Sequence, residues 1–223
     1  MQYVRTILVV LAVVTTLISL ERVALAQKKE TGGHVHYKQS AEQSQASPTG
    51  ALAPRLQKLG NHLFPVTTKN KQAQLFINQG INLSYAFNHA EAGRAFREAA
   101  RLDPDLPMAY WGEALVLGPN INAAMDKNNE AKALELVKKA VALRSRASAR
   151  EQAYIDALAQ RYSGRAEERR DRDRTYAEAM RKVQERFPDD LDAAILYVEA
   201  MMDLRPWGYW TRDGHPYEGT AEI

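Results

Sequence analysis

Apolar residues recur three or four positions apart through much of the chain, in short segments separated by polar turns and prolines. The clearest example runs from about 71 to 105, where two such segments predict helices near 71–86 and 89–102. Asp103-Pro104 predicts the end of the second helix, because proline lacks a backbone N–H and disfavours helical geometry in the residue before it. The stretch therefore predicts a pair of antiparallel helices.

Small and large side chains stand in this pair where two helices would cross. Gly80 and Ala92 are small enough for the two backbones to approach closely, and Phe96 is too large for a surface site. The residues that share this pattern are Phe76, Gly80, Leu83, Ala92, Phe96, Ala99 and Pro104. Their spacing resembles that of the tetratricopeptide repeat family. The resemblance implies an all-α fold, a right-handed superhelical stack of antiparallel helical hairpins with about three and a half repeats.

Later parts of the chain repeat the pattern less regularly. Trp111-Gly112 predicts the large and small pair of a second unit, whose second helix resumes near Glu130. Ser148 is a candidate N-cap for a third unit, which Pro188 closes, and 191–202 predicts the first helix of a fourth. The sequence reaches its last residue before a second helix. Either the chain is the N-terminal part of a longer protein, which we expect, or its aromatic tail folds back as a cap through Trp207, Tyr209, Trp210 and Tyr217.

Two local predictions concern polar segments. Asn88 is a candidate N-cap of the second helix, with Glu91 completing a capping box. The mixed-charge run 165–174 predicts ion pairs along a solvated helix face.

The N-terminal part of the chain indicates export. Residues 1–26 combine Arg5, the apolar run 7–20 and the small residues of Ala24-Leu25-Ala26, as a cleaved signal peptide does. The alternative is an uncleaved anchor, although the run is shorter than a spanning helix needs. Residues 27–54 are polar and predict a flexible leader, and 55–223 predict the repeat domain. We therefore expect a periplasmic or secreted protein with no stable membrane insertion after cleavage.

Further motifs resemble bacterial secreted tetratricopeptide repeat proteins of undefined activity. The matching pieces are Pro65-Val66-Thr67-Thr68, Gln79-Gly80, Tyr85, Phe87-Asn88-His89, Glu91-Ala92, Trp111-Gly112, Ala114, Gly118-Pro119-Asn120, Asn122, Leu204-Arg205-Pro206-Trp207, Trp210 and Asp213-Gly214. The resemblance implies a fold and an export route, and no catalytic residue.

Two classes of function remain open from the sequence. The first is a scaffold whose concave groove binds a peptide or protein partner. The predicted partner-binding residues are Gln74, Ile77, Ile81, Ser84, Tyr85, His89, Asn120 and Asn122. The last two lie in the insertion 118–129, which is either a binding loop or an ordinary elongated turn. Because the groove positions are mostly apolar or aromatic, a hydrophobic or mixed peptide is the expected ligand.

The second class is a metal-binding protein or metalloenzyme. Its candidate ligands are His34, His36, His62 and His89, which favour Zn or Cu. His34 and His36 would share one face of an extended strand, but solvated tail histidines have the same sequence. The scaffold is preferred, with no cofactor, because the sequence shows no nucleophile-base pair, no paired carboxylate motif and no glycine-rich phosphate loop.

Composition narrows the partners further. The 223 residues carry a formal net charge of only +3, which disfavours nucleic acid as a partner. The chain has no cysteine, so disulfides play no part in its stability.

Overall fold

The computed structural model describes residues 50–223, and this part of the chain is all-α. It forms seven α-helices and no β-strand; two isolated bridges join Asn120 to Ala123 and Trp210 to Pro216. The helices are α1 (Lys71–Tyr85), α2 (His89–Leu102), α3 (Pro107–Leu117), α4 (Asn129–Ala142), α5 (Ala149–Leu158), α6 (Arg169–Arg186) and α7 (Leu191–Asp203). Within residues 50–223 no helix is both long and apolar enough to cross a membrane.

The helix boundaries follow from local chemistry. The Asn70 side chain accepts hydrogen bonds from the first free amides of α1. Pro107 suits the first turn of α3, because the amide at that position has no partner within the helix and proline lacks one. Ser148 and Glu151 form a complete capping box at the start of α5. The predicted ranges of α1 and α2 agree with the structure to within one residue.

One predicted cap is wrong. Asn88 stands at the N-cap position of α2, but its side chain makes no capping hydrogen bond. Glu91 pairs with Arg94 one turn ahead instead of reaching back to the N-cap amide. The capping box is therefore absent from α2, although the helix begins where the sequence predicts.

Neighbouring helices pack against each other in chain order, with extra contacts between α1 and α3 and between α3 and α5. Gly80 on α1 and Gly112 on α3 both face the ring of Phe96, which projects from α2 and is fully buried. A methyl group on Gly80 would lie 2.6 Å from that ring, and one on Gly112 closer still. The predicted close crossing is confirmed, and it involves three helices because one aromatic ring serves both glycines.

The mixed-charge run is less solvated than its composition indicates. Arg169 and Asp173 form the expected i to i+4 pair, yet Asp173 is buried and both side chains point inward. Arg169 also reaches Glu130 on α4 at 3.0 Å. The inward side of α6 thus carries structural ion pairs, and only its outer side is exposed.

The C-terminal residues after α7 partly cover that helix. Tyr197 donates a hydrogen bond to Glu222 Oε1 at 2.6 Å, and the Arg205 guanidinium lies 4.1 Å from the centre of the Tyr217 ring. Trp207 and Trp210 remain largely exposed. The tail therefore contacts α7 through residues 217–222, whereas its two tryptophans face outward.

Candidate functional site

A stretch without regular secondary structure, residues 52–68, crosses one face of the helices; we call it the entry segment. The face is formed by α1, α3, α5 and α7, and we call it the odd-helix face. Ala53 and Phe64 of the entry segment are buried, so the packed region begins ahead of the predicted boundary at residue 55.

Amide side chains of α1 bind the main chain of the entry segment. Asn78 Oδ1 accepts the amide of Phe64 at 3.0 Å, and Gln79 pairs in both directions, with the amide of Leu56 at 2.9 Å and the carbonyl of Pro54 at 3.0 Å. A carboxamide offers one acceptor and one donor group, so it matches the two polar groups of an extended chain.

Two more amides extend this row. Gln74 accepts the amide of Val66 at 2.9 Å and donates to the carbonyl of Phe64 at 2.9 Å. Asn82 donates to the carbonyl of His62 at 3.1 Å. Gln74, Asn78 and Asn82 are four residues apart, which places them on one stripe of α1. The stripe contacts main-chain atoms of the entry segment.

The ring of Phe64 fills an aromatic pocket on the odd-helix face. It is stacked on Trp111 of α3 with centroids 5.7 Å apart and tilted against Tyr154 of α5 at the same distance. The Arg150 guanidinium lies 4.9 Å from the Phe64 ring centre, so a cation covers the pocket. Phe64 is completely buried even though its neighbours Leu63 and Pro65 are exposed.

Carboxylates of α5 and α7 hold the polar groups on either side of Phe64. Glu151 accepts the main-chain amide of Thr67 at 2.7 Å, and its other oxygen accepts the Thr67 hydroxyl. Asp192 lies 2.9 Å from His62 Nε2 and accepts the Tyr85 hydroxyl at 2.7 Å. Carboxylates from two different helices therefore bind the entry segment on both sides of Phe64, at His62 and at Thr67.

Two tyrosine hydroxyls on the odd-helix face donate hydrogen bonds to carboxylates. Burial, aided by the Asp192 carboxylate, raises the pKa of Tyr85 far above its usual value. Burial and the hydrogen bond to Asp190 likewise raise the pKa of Tyr154. Both phenols stay protonated at physiological pH, so they orient the carboxylates and do not act as bases.

Among the groove positions predicted on α1, Gln74 and Tyr85 contact the entry segment. Ile77 and Ile81 are buried, and Ser84 donates its hydroxyl to the carbonyl of Gly80. Gln74 and Tyr85 are the two of this group that make hydrogen bonds across the odd-helix face. The contact of these residues with an outside partner stays a prediction.

The remaining predicted partner-binding residues lie at the loop after α3. Asn120 is buried and its side chain accepts the amides of Asn122 and Ala123, which closes the loop. Its amide nitrogen is 3.3 Å from Nδ1 of His89. Asn122 is exposed. Asn120 and His89 therefore shape this loop, and Asn122 is the member of the group that solvent can reach.

A buried arginine connects the loop after α3 to α6 and to the end of α7. Arg161 is 3 % exposed at its side chain and donates to Asp173 at 2.9 Å, to Asp203 at 2.7 Å and weakly to the carbonyl of Pro119. Sequence reasoning missed Arg161, since an isolated arginine after a helix gives no signal that acids 12 and 42 residues away will meet it.

Burial shifts the pKa values of acids and bases around this arginine. It lowers the pKa of His89 to about 4 and raises the pKa of Glu199 to about 7 and of Asp203 to about 6. The Asp203 carboxylate adds to the shift of Glu199, and Arg161 opposes the shift of Asp203. Burial therefore favours the neutral form of both His89 and Glu199.

The four candidate metal ligands are not placed together by the described residues. His34 and His36 lie outside residues 50–223. His62 contacts Asp192 and Tyr85, and His89 contacts Asn120 and Phe87, so the two have separate surroundings. Within the described range, no group of three or more histidines, cysteines or acids is arranged to hold a metal ion.

The sequence analysis predicted neither the row of carboxamides on α1 nor the aromatic pocket around Phe64. A signal for the stripe exists, because carboxamide residues recur every four positions at 74, 78 and 82. The pocket carries no such signal, since Trp111 and Tyr154 belong to helices that are distant in sequence.

No protein-family model matches this chain, and no curated protein or solved structure matches it significantly. The function is therefore inferred from the geometry of the chain itself.

Proposed function

We propose that the chain is an exported scaffold of the tetratricopeptide type, with its hairpins in a right-handed superhelical stack, and that its odd-helix face binds an extended peptide or protein segment. The spacing of Gly80, Ala92, Phe96 and Pro104 supports the stack, and the signal-like residues 1–26 support export to the periplasm or the exterior.

One observation carries the binding function. A row of carboxamides on α1 pairs with the main-chain amides and carbonyls of an extended segment, and aromatic and acidic side chains from α3, α5 and α7 hold its side chains. Main-chain pairing with alternate side-chain pockets is a common way to recognise an extended peptide. The contacts of the entry segment support the proposal that the face binds a segment of this kind.

The face offers binding groups but no arrangement suited to a reaction. Tyr85 and Tyr154 are locked as donors to Asp192 and Asp190, and Glu151 is occupied by a threonine and by the N-cap of α5. The proposed role is consequently recognition of a partner.

Nuclear magnetic resonance with a random peptide library tests this proposal. Peptides that bind should shift the side-chain amide signals of Gln74, Asn78 and Gln79, because these groups must exchange partners when a peptide enters. The amide of Gln184 on α6 is the control and should not move. If no library peptide binds the folded chain, or if bound peptides shift signals only elsewhere, the proposed function is wrong.

A further inference from the structure

We propose that the odd-helix face prefers peptides with a Phe-Pro-x-Thr pattern, and that the entry segment is a tethered copy of this ligand that such peptides displace. The inference rests on the proposed function and names the class of peptide that the same site would take.

Sequence preference has to come from the side chains of the bound segment. The carboxamides of α1 contact main-chain atoms, which every peptide possesses. Leu63 is 65 % exposed and adds little to selectivity, whereas Phe64 is fully buried and Thr67 uses both its amide and its hydroxyl. The proposed pattern therefore rests on Phe64 and Thr67, while the His62 side chain adds a contact with Asp192.

The pocket for Phe64 fits a flat aromatic ring. Trp111 stacks on the ring with an interplanar angle of 6°, and the Arg150 guanidinium lies near the ring at 4.9 Å from its centre. Stacking and cation–π contacts both require a π-system, so an aliphatic side chain would lose them. An alanine would leave the pocket unfilled.

Proline and threonine complete the pattern. Pro65 needs no hydrogen-bond acceptor for its nitrogen, and its fixed φ suits an extended chain. Its carbonyl accepts from Arg150 at 2.9 Å, the same side chain that lies over the Phe64 ring. Two residues later, the two oxygens of Glu151 accept the Thr67 amide and hydroxyl. A residue without a hydroxyl at this position would leave one carboxylate oxygen with fewer donors.

The main chain of the entry segment is held by side chains of the helices, as the main chain of a bound peptide would be. Its main-chain amides that donate hydrogen bonds to helices do so to side chains, namely those of Glu98, Gln79, Asn78, Gln74 and Glu151. Lys58 adopts a left-handed φ of 62°, a conformation that residues other than glycine rarely adopt. The segment therefore has little secondary structure of its own to lose when it leaves the face.

The covalent link gives the entry segment an advantage over a free peptide. A tethered ligand competes at an effective concentration on the order of millimolar. A free copy of the motif should consequently bind the unmodified chain weakly, and weakening the tethered copy should expose the intrinsic affinity of the face.

The test uses the full chain and a labelled synthetic peptide that copies residues 61–68, Asn-His-Leu-Phe-Pro-Val-Thr-Thr. Thr67→Ala removes the hydroxyl and the γ-methyl group of an exposed residue in the tethered copy. This variant should bind the peptide on the order of tenfold more tightly than the unmodified chain, because a hydrogen bond to a charged acceptor is lost from the competitor alone. Phe64→Ala, where it folds, should increase the affinity further.

Two controls make the result specific. Thr175→Ala removes a hydroxyl that bonds within α6 to the carbonyl of Asp171, and it should bind the peptide like the unmodified chain. Peptides with alanine in place of phenylalanine, or of the first threonine, should bind Thr67→Ala at least about tenfold more weakly than the parent peptide.

Equal affinity of the Thr67→Ala and Thr175→Ala chains for the peptide, or equal binding of the alanine-substituted peptides, would overturn the inference. If library peptides without the pattern bind through the α1 amides while this peptide does not, the sequence preference is wrong and the proposed function stands. If no peptide of any sequence binds, both are wrong.

Discussion

Phe96 is the residue on which three helices converge. Its ring lies against the backbones of α1 and α3 at Gly80 and Gly112, and it is completely buried. The sequence predicted the pairing with Gly80, because the small residue and the aromatic ring stand at the spacing of a helical hairpin. Contact with Gly112 was not predicted, since it depends on how the next helix is placed against this pair.

Alanine at these glycines should destabilise the fold even though alanine is the better helix former. A methyl group on Gly112 overlaps the Phe96 ring, which has no space to move, so Gly112→Ala should lower the free energy of unfolding by about 1–3 kcal/mol. Gly80→Ala should act in the same direction.

Gly93 on α2 is the matched control. Its nearest neighbours would lie 3.5 Å from an added methyl group, an ordinary contact. Gly93→Ala should be neutral or should stabilise by up to about 1 kcal/mol through helix propensity. Urea unfolding of the three variants measures these differences, and a Gly112→Ala chain as stable as Gly93→Ala would show that Phe96 is not held between the helices.

At the scale of single helices, similar sequence signals had different outcomes. Ser148 and Asn88 both stand before a helix with glutamate three residues later. Ser148 forms the full capping box, whereas Asn88 makes no capping bond and Glu91 pairs with Arg94. Propensity therefore located both helix starts, but it did not determine which cap forms.

These two positions give a direct comparison. Ser148→Ala should lower the free energy of unfolding by about 1 kcal/mol, since it leaves the Glu151 amide without its acceptor. Asn88→Ala removes no capping bond and should change stability by less than about 0.5 kcal/mol. Thermal unfolding of both variants checks this, and equal losses would contradict the assignment of the caps.

Helix α7 carries two acids one turn apart, the half-buried Glu199 and Asp203, whose side chain is 2 % exposed. Burial, with a contribution from Asp203, raises the pKa of Glu199 to about 7. The folded chain thus holds this proton more tightly than the unfolded chain does. The resulting stability is complete below the unfolded pKa of about 4.5 and is lost as the pH rises through about 7.

Glu199→Gln should therefore stabilise the chain more at pH 8 than at pH 5, because the variant has no buried charge to form. His89, whose pKa burial lowers to about 4, has the opposite pH dependence, but it is common to both proteins and cancels in the comparison. Urea unfolding at both pH values measures the difference between variant and unmodified chain. The same difference at pH 5 and pH 8 would show that Glu199 is not desolvated.

For the molecule as a whole, the all-α class and the helix ranges 71–86 and 89–102 were predictable because they depend on local periodicity and on proline. The course of the entry segment was not predictable in the same way. Its contacts join Phe64 to Trp111 and Thr67 to Glu151, residues that only the packing of several helices brings together. Of the residues predicted to line an open groove, Gln74 and Tyr85 contact the chain's own entry segment.

Hydrogen exchange at single-residue resolution tests most directly whether the α1 carboxamides hold the entry segment as a bound peptide. The amides of Leu56, Phe64 and Val66 donate to Gln79, Asn78 and Gln74 and should exchange slowly although they lie outside any helix. Gln79→Ala should accelerate exchange at Leu56 while Val66 stays protected. Exchange of all three amides at the rate of an unprotected chain would contradict the account.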